Sequence, residues 1–125
     1  MPRVLVIDDD QGVRELLVEL LGEIGYDVTE ADNGASGLDL VPHVHPDAVC
    51  LDLWMDGMPG LEVLDRLADD YPRLPVVIVT ADPLIDTMHD ALKRGASGYI
   101  LKPFDLDHLR RVLAAALRGQ RPVIK

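Results

Sequence analysis

One cysteine, five aromatic residues and no long apolar run limit what this chain of 125 residues can be. A lone Cys50 cannot close an internal disulfide, which suits a reducing compartment. With one Trp, one Phe and three Tyr, any core must be built from aliphatic side chains. No apolar stretch approaches the roughly 20 residues of a membrane span, and the N-terminus lacks the charged-then-apolar pattern of a leader. A cytoplasmic protein without membrane contact is therefore expected. Basic residues are scarce as well: 12 Lys+Arg face 22 Asp+Glu, for a net charge of −10. Binding nucleic acid requires a basic face against the phosphates, so no direct nucleic-acid partner is expected. The deficit is uneven. Residues 1–92 hold 4 basic and 20 acidic side chains, whereas residues 93–125 hold 8 and 2. The basic end reads first as a solvated helix face and second as part of a partner surface.

What is present is a chain of single-domain length with 48% hydrophobic residues, enough for one sizeable core. Short apolar runs rich in β-branched residues alternate with stretches of helical period. Residues 3–8 form a near-continuous apolar run ending in acid, as a fully buried parallel strand does. Val13, Leu16, Leu17, Leu20, Leu21 and Ile24 then recur at amphipathic-helix spacing, with Asp10 as a candidate N-cap and Gly25 as a stop. Residues 26–31 read as the second strand and 35–41 as a short helix, followed by a loop between Pro42 and Pro46. Residues 47–52 read as the third strand, 76–80 as the fourth and 98–102 as the fifth. Helices after them are marked by Leu61, Leu64, Leu67 and Ala68, by Leu84, Met88, Ala91 and Leu92, and by Leu106, Leu109, Val112, Leu113 and Leu117. Five βα units in succession imply an α/β domain, a doubly wound parallel sheet with helices on both faces.

Each central strand ends in a distinctive polar residue: Asp8 and Asp9 after the first, Asp52 after the third, Thr80 after the fourth and Lys102 after the fifth. Ligands of open parallel sheets bind outside the carboxyl ends of the strands, so these side chains are expected to converge on one edge. Three carboxylates packed together repel unless a cation neutralises them. An oxygen-only donor set suits Mg²⁺, while a lysine and a hydroxyl suit phosphoryl oxygens. The chemistry this favours is in-line attack of a carboxylate on phosphorus.

The segments Val6-Ile7-Asp8-Asp9-Asp10, Leu51-Asp52-Leu53, Val79-Thr80-Ala81 and Lys102-Pro103-Phe104 resemble, in order and spacing, the signatures of the receiver family of two-component signalling. Ala31-Asp32-Asn33-Gly34 and Gly95-Ala96-Ser97-Gly98-Tyr99 add secondary matches. The resemblance implies a flavodoxin-like sheet of order 2-1-3-4-5, with the receiver at residues 1–118 and a tail or linker stump at 119–125. It implies that Asp52 accepts the phosphoryl group and that Asp8, Asp9, Asp52 and the Trp54 carbonyl hold Mg²⁺, Asp8 through water. Thr80 and Lys102 would contact the phosphoryl oxygens. Thr80 and Tyr99 would act as the switch, the ring swinging inward when Thr80 moves, and the bond before Pro103 would be cis. The implied donor is a sensor histidine kinase or phosphotransfer protein. The implied output face is the fourth helix, fifth strand and last helix, with Arg110, Arg111 and Arg118 near it, acting on an effector domain or a second copy. The chain would be a signalling switch that catalyses its own phosphorylation and dephosphorylation, either stand-alone or cut from a longer protein.

One departure stands out. Receivers usually carry Pro four residues after the acceptor and Asp or Ser seven after it, whereas this chain has Asp56 and Pro59, with Gly60 in register. That exchange keeps open a degenerate receiver that signals without phosphorylation. Other readings are disfavoured. A phosphohydrolase resembling the haloacid dehalogenase family needs an Asp where Trp54 stands, and a nucleotide-binding module needs a Gly-rich loop where Asp8-Asp9-Asp10 stands. Trp54 is expected to modulate water access to the acceptor. Cys50 is expected to be an inert small hydrophobe, and His43, His45, His89 and His108 to be surface residues.

Overall fold

The computed structural model describes residues 1–119. Its five strands are β1 (Arg3–Ile7), β2 (Asp27–Ala31), β3 (Ala48–Leu51), β4 (Val76–Thr80) and β5 (Gly98–Leu101). They pair in parallel in the order β2-β1-β3-β4-β5, as the resemblance implied. The helices α1 (Gln11–Ile24), α2 (Gly34–Val44), α3 (Gly60–Asp70), α4 (Ile85–Lys93) and α5 (Leu106–Leu117) make the crossovers. None of them is long and apolar enough to cross a membrane.

The two-residue period of the strands builds two cores from one sheet. Val4, Val6, Cys50, Val77, Val79 and Ile100 face α1 and α5, meeting Leu17, Leu21, Leu109 and Leu113. Leu5, Ile7, Val49, Leu51, Ile78 and Tyr99 face α2, α3 and α4, meeting Val41, Val63, Leu64, Leu67 and Ala91. With both faces covered, nearly every residue of the central strands must be apolar, which is why they read as continuous runs. The register is level at the carboxyl edge: Ile7 pairs with Leu51, Leu51 with Ile78, and Thr80 with Leu101. The polar residues that follow these strands therefore emerge side by side.

At α1 the local signals act as expected. Asp10 caps α1 by accepting from the Val13 N–H at 3.1 Å, and Gly25 ends it with a φ of 110°. Asn33 caps α2 from Ser36 N at 2.8 Å, and Asp105 caps α5 from His108 N at 2.7 Å. Other readings need correction. α2 runs on to Val44, carrying Pro42 and His43 inside its last turn; Pro42 is exposed, so its ring lies on the solvent side, and the left-handed His45 ends the helix. Leu16 is 45% exposed, outside the buried stripe of Leu17 and Leu21. Leu84 precedes α4 as its N-cap, 63% exposed, and is no part of an apolar face. His108 is not a simple surface residue, because its Nε2 is buried without a hydrogen-bond partner among the described residues. From residue 120 on, the expected tail lies outside the described residues.

Candidate functional site

The strand-to-helix turns set the site. β1 passes into Asp8 and Asp9, β3 into Asp52, β4 ends on Thr80, and β5 passes into Lys102, whose bond to Pro103 is cis. Asp8 and Asp52 are buried, at 1% and 7% exposure, and Thr80 is fully buried. Asp9 is exposed at the mouth. One carboxylate oxygen from each of Asp8, Asp9 and Asp52 lies within 4.8 Å of the others.

Lys102 reaches into this acidic edge. Its Nζ donates to Asp8 Oδ2 at 3.0 Å and lies 3.7 Å from Asp52 Oδ2. Asp8 Oδ1 accepts from the Asp10 N–H at 2.9 Å, and the Asp8 carbonyl accepts from Arg14 Nη1 at 2.9 Å. Burial lifts the Asp52 carboxyl above the ordinary carboxylate range. Lys102 opposes the rise, Asp8 adds to it, and the Thr80 hydroxyl and Trp54 N–H pull it back more weakly. One ammonium thus faces two buried carboxylates, with the third, Asp9, at the mouth. Hard oxygen donors with surplus negative charge are the donor set that fits Mg²⁺.

The loop after Asp52 explains the exchanged residues. The Asp56 N–H donates to Asp9 Oδ2 at 3.0 Å, a bond that proline at this position could not make. Pro59 stands at the N-cap of α3, where its side chain has no group to accept an N–H. Gly60 is fixed by close approach: a Cβ there would collide with the Asp52 carbonyl oxygen and the Leu53 Cα. Any larger residue would push α3 away from the backbone that carries Asp52.

Tyr99 is 3% exposed with its ring already inward, and its hydroxyl donates to the Asp82 carbonyl at 3.0 Å. Burial, then the charges of Asp82 and Asp52, push the phenol up to about 12, so it remains a neutral donor. Cys50 is buried on the α1/α5 face and its thiol is likewise pushed up to about 12, as an inert residue requires. His43, His45 and His89 are exposed.

Sequence reasoning missed Asp82. It is 7% exposed, and its carboxylate accepts from Trp54 Nε1 at 3.0 Å and from the Leu84 N–H at 2.9 Å. Its own N–H approaches Thr80 Oγ1 at 3.4 Å. The available signal was positional: Asp82 stands two residues past Thr80, as Trp54 stands two past Asp52.

Residues 4–114 match the family model described as response regulator receiver domain. The chain is 36% identical over 118 residues to regulatory protein AtoC of Escherichia coli (strain K12), covering 94% of this chain and 26% of AtoC. It is 37% identical over 108 residues to sporulation initiation phosphotransferase F of Bacillus subtilis (strain 168), covering 86% of this chain and 87% of that protein. The crystal structure of the receiver domain of NtrX from Brucella abortus superposes with a TM-score of 0.89 at 34% identity, covering 94% of this chain and 99% of that one. The chain spans about a quarter of AtoC.

Proposed function

Because this chain belongs to the response regulator receiver family of two-component signalling proteins, we propose that it is a switch that takes a phosphoryl group onto Asp52. The observation that carries this reading is the buried Asp52 carboxylate with Lys102 Nζ 3.7 Å away, beside Asp8 and Asp9 at the level edge of a parallel sheet. An Asp52 oxygen forms a bond to phosphorus as the bond from phosphorus to the donor's leaving group breaks. From a phosphohistidine donor, the imidazole nitrogen departs with the electron pair and takes up a proton. Lys102 and Thr80 bind the transferred oxygens, the first by charge and the second as a hydroxyl donor. Asp8, Asp9, Asp52 and the Trp54 carbonyl would hold Mg²⁺, which supplies charge neutralisation between the carboxylates and the incoming group. Hydrolysis of the acyl phosphate on Asp52 would return the switch to its resting state, so the chain catalyses its own labelling and unlabelling without turning over a metabolite.

The donor is a histidine kinase or phosphotransfer protein, and the receiver spans residues 1–118. The output face is built by α4, β5 and α5, where Thr80 and Tyr99 read the state of Asp52, and the outputs are an effector domain or a second copy. The exchanged loop touches Asp9 through the Asp56 backbone N–H. Intact mass after incubation with a small acyl phosphate and Mg²⁺ tests the proposal. One phosphoryl adduct that requires Mg²⁺ and disappears in Asp52→Asn is expected. Absence of an adduct in the wild type, with Mg²⁺ binding established separately, would instead favour a degenerate receiver that works unphosphorylated.

A further inference from the structure

Asp82 makes contact with four parts of the molecule at once. Its Oδ2 accepts from the indole Nε1 of Trp54 at 3.0 Å, beyond the end of β3. Its Oδ1 accepts from the Leu84 N–H at 2.9 Å, at the start of α4. Its carbonyl accepts from the Tyr99 hydroxyl at 3.0 Å, from β5, and its N–H approaches Thr80 Oγ1 at 3.4 Å. The carboxylate is buried although the indole it holds is 61% exposed. Leu84 offers no side-chain cap to α4, so the Asp82 oxygen performs that service from two residues upstream.

From these contacts we infer that Asp82 is a latch, a positioning residue that holds the Trp54 indole across the β3–β4 edge and ties it to the start of α4. The tie runs beside Asp52, because Trp54 and Asp82 stand two residues past Asp52 and Thr80 on neighbouring strands. Building on the phospho-acceptor reading, the latch has a reason to open. The Thr80 hydroxyl stands between the Asp52 carboxylate, to which it donates, and the Asp82 N–H, the longest and weakest of the four contacts; a phosphoryl group on Asp52 displaces that hydroxyl and draws on the N–H. The loop that carries Asp82 then shifts with Thr80, and the indole and the first turn of α4 are released together. Phosphorylation is thereby reported at two places, the mouth of the site and the α4 surface, through one residue. Two discrete arrangements sharing one carboxylate are the kind of element that a ligand can bias.

Trp54 is the one tryptophan of the chain, so its indole N–H gives a single assignable nuclear magnetic resonance signal. Asp82→Asn keeps the size of the side chain but offers one acceptor oxygen in place of two. In the unphosphorylated protein this change should speed exchange of the indole proton about tenfold, the loss of one charge-assisted bond. It should also shift the amides of residues 84–88 while leaving those of α5 in place. Trp54→Phe, which removes the donor and keeps the carboxylate, should shift residues 82–86 and again spare α5. It serves as the second test should the Asn variant not fold. In the wild type, labelling of Asp52 should move the indole signal toward its position in the unlabelled Asn variant. An indole signal unmoved by Asp82→Asn, or moved with no change at the start of α4, overturns the latch. So does an indole signal that ignores a phosphoryl adduct confirmed by mass. If no adduct forms, the phospho-acceptor reading fails by itself, and the two variants of the unlabelled protein still decide whether Asp82 joins Trp54 to α4.

Discussion

β5 sends neighbouring side chains to opposite helices, Ile100 toward α5 and Tyr99 toward α4, and the two helices are held by different means. α5 buries Leu109, Val112, Leu113, Ala115 and Ala116, and its first turn is capped by Asp105. In α4 the buried residue is Ala91, with Leu84 and Ile85 each 63% exposed at its start. Met88 and Leu92 add half-buried packing against the core, and polar ties at the two ends complete the hold. Asp82 binds the Leu84 N–H, and Arg94, just past the last turn, reaches Asp90 at 2.9 Å and Asp65 of α3 at 2.7 Å. Apolar burial is undirected and hard to undo piecemeal, whereas a few hydrogen bonds can be exchanged for others at small cost. Of the two helices, α4 is thus the one held more by exchangeable contacts, and α5 is the platform.

Removing a buried leucine from the platform should have the largest effect. Leu113→Ala should lower stability by about 3 kcal/mol in urea unfolding, the usual cost of a cavity in a packed core. A loss below about 1 kcal/mol would mean that α5 is no better anchored than α4. Lys102→Met comes next, since it takes the one ammonium from two buried carboxylates. The expected loss is about 2 kcal/mol at neutral pH. Without that cation, the Asp52 carboxyl rises further in the folded state, so stability falls as pH increases through its range. The loss should therefore shrink at low pH, where Asp52 is protonated in both states. A loss that ignores pH would assign Lys102 to packing through its stem.

Asp52→Asn should act in the opposite direction. The folded carboxyl lies above its ordinary range, so between that range and the raised folded value the unfolded chain binds fewer protons. Wild-type stability therefore falls as pH rises through that window, and the ionised Asp52 is a cost to the fold above it. The Asn variant should lack this slope and be more stable at neutral pH by about 1 kcal/mol, a few degrees in Tm. A destabilised variant would show that Lys102 more than compensates the carboxylate. Ile85→Ala should change stability least, by under about 0.5 kcal/mol, and any larger loss would mean that α4 seats this side chain.

The platform was the more legible half in the sequence. Its helices and strands announce themselves by period, and the strand-end polar residues stand out because the runs before them are apolar. α2 was misread at its end because proline usually stops a helix, yet an exposed ring in the last turn costs little packing. Leu84 was misread because apolar character at helical spacing cannot tell a buried stripe from an exposed start. Asp82 was invisible for a different reason. Its partners lie at positions 54, 80, 84 and 99, and no local pattern encodes contacts made when separate strands are laid side by side. The exchange of Asp56 and Pro59 was visible, but its sense, a backbone donor gained for Asp9 and a side-chain cap absent from α3, required the folded loop.

A sheet with every strand parallel also divides the chain's freedom to vary in length. All strand-to-helix turns, at residues 8–10, 32–33, 52–59, 81–84 and 102–105, open at one end of the molecule, and four of them supply the acidic edge, its lysine and the latch. All helix-to-strand turns, at residues 25–26, 45–47, 71–75 and 94–97, open at the other. An insertion in the second set lengthens a connection and leaves Asp8, Asp52, Thr80 and Lys102 level. One residue gained inside a strand instead exchanges its two faces, turning side chains meant for one core into the other. The protein can therefore grow at one pole while its chemistry is kept to fixed length at the other.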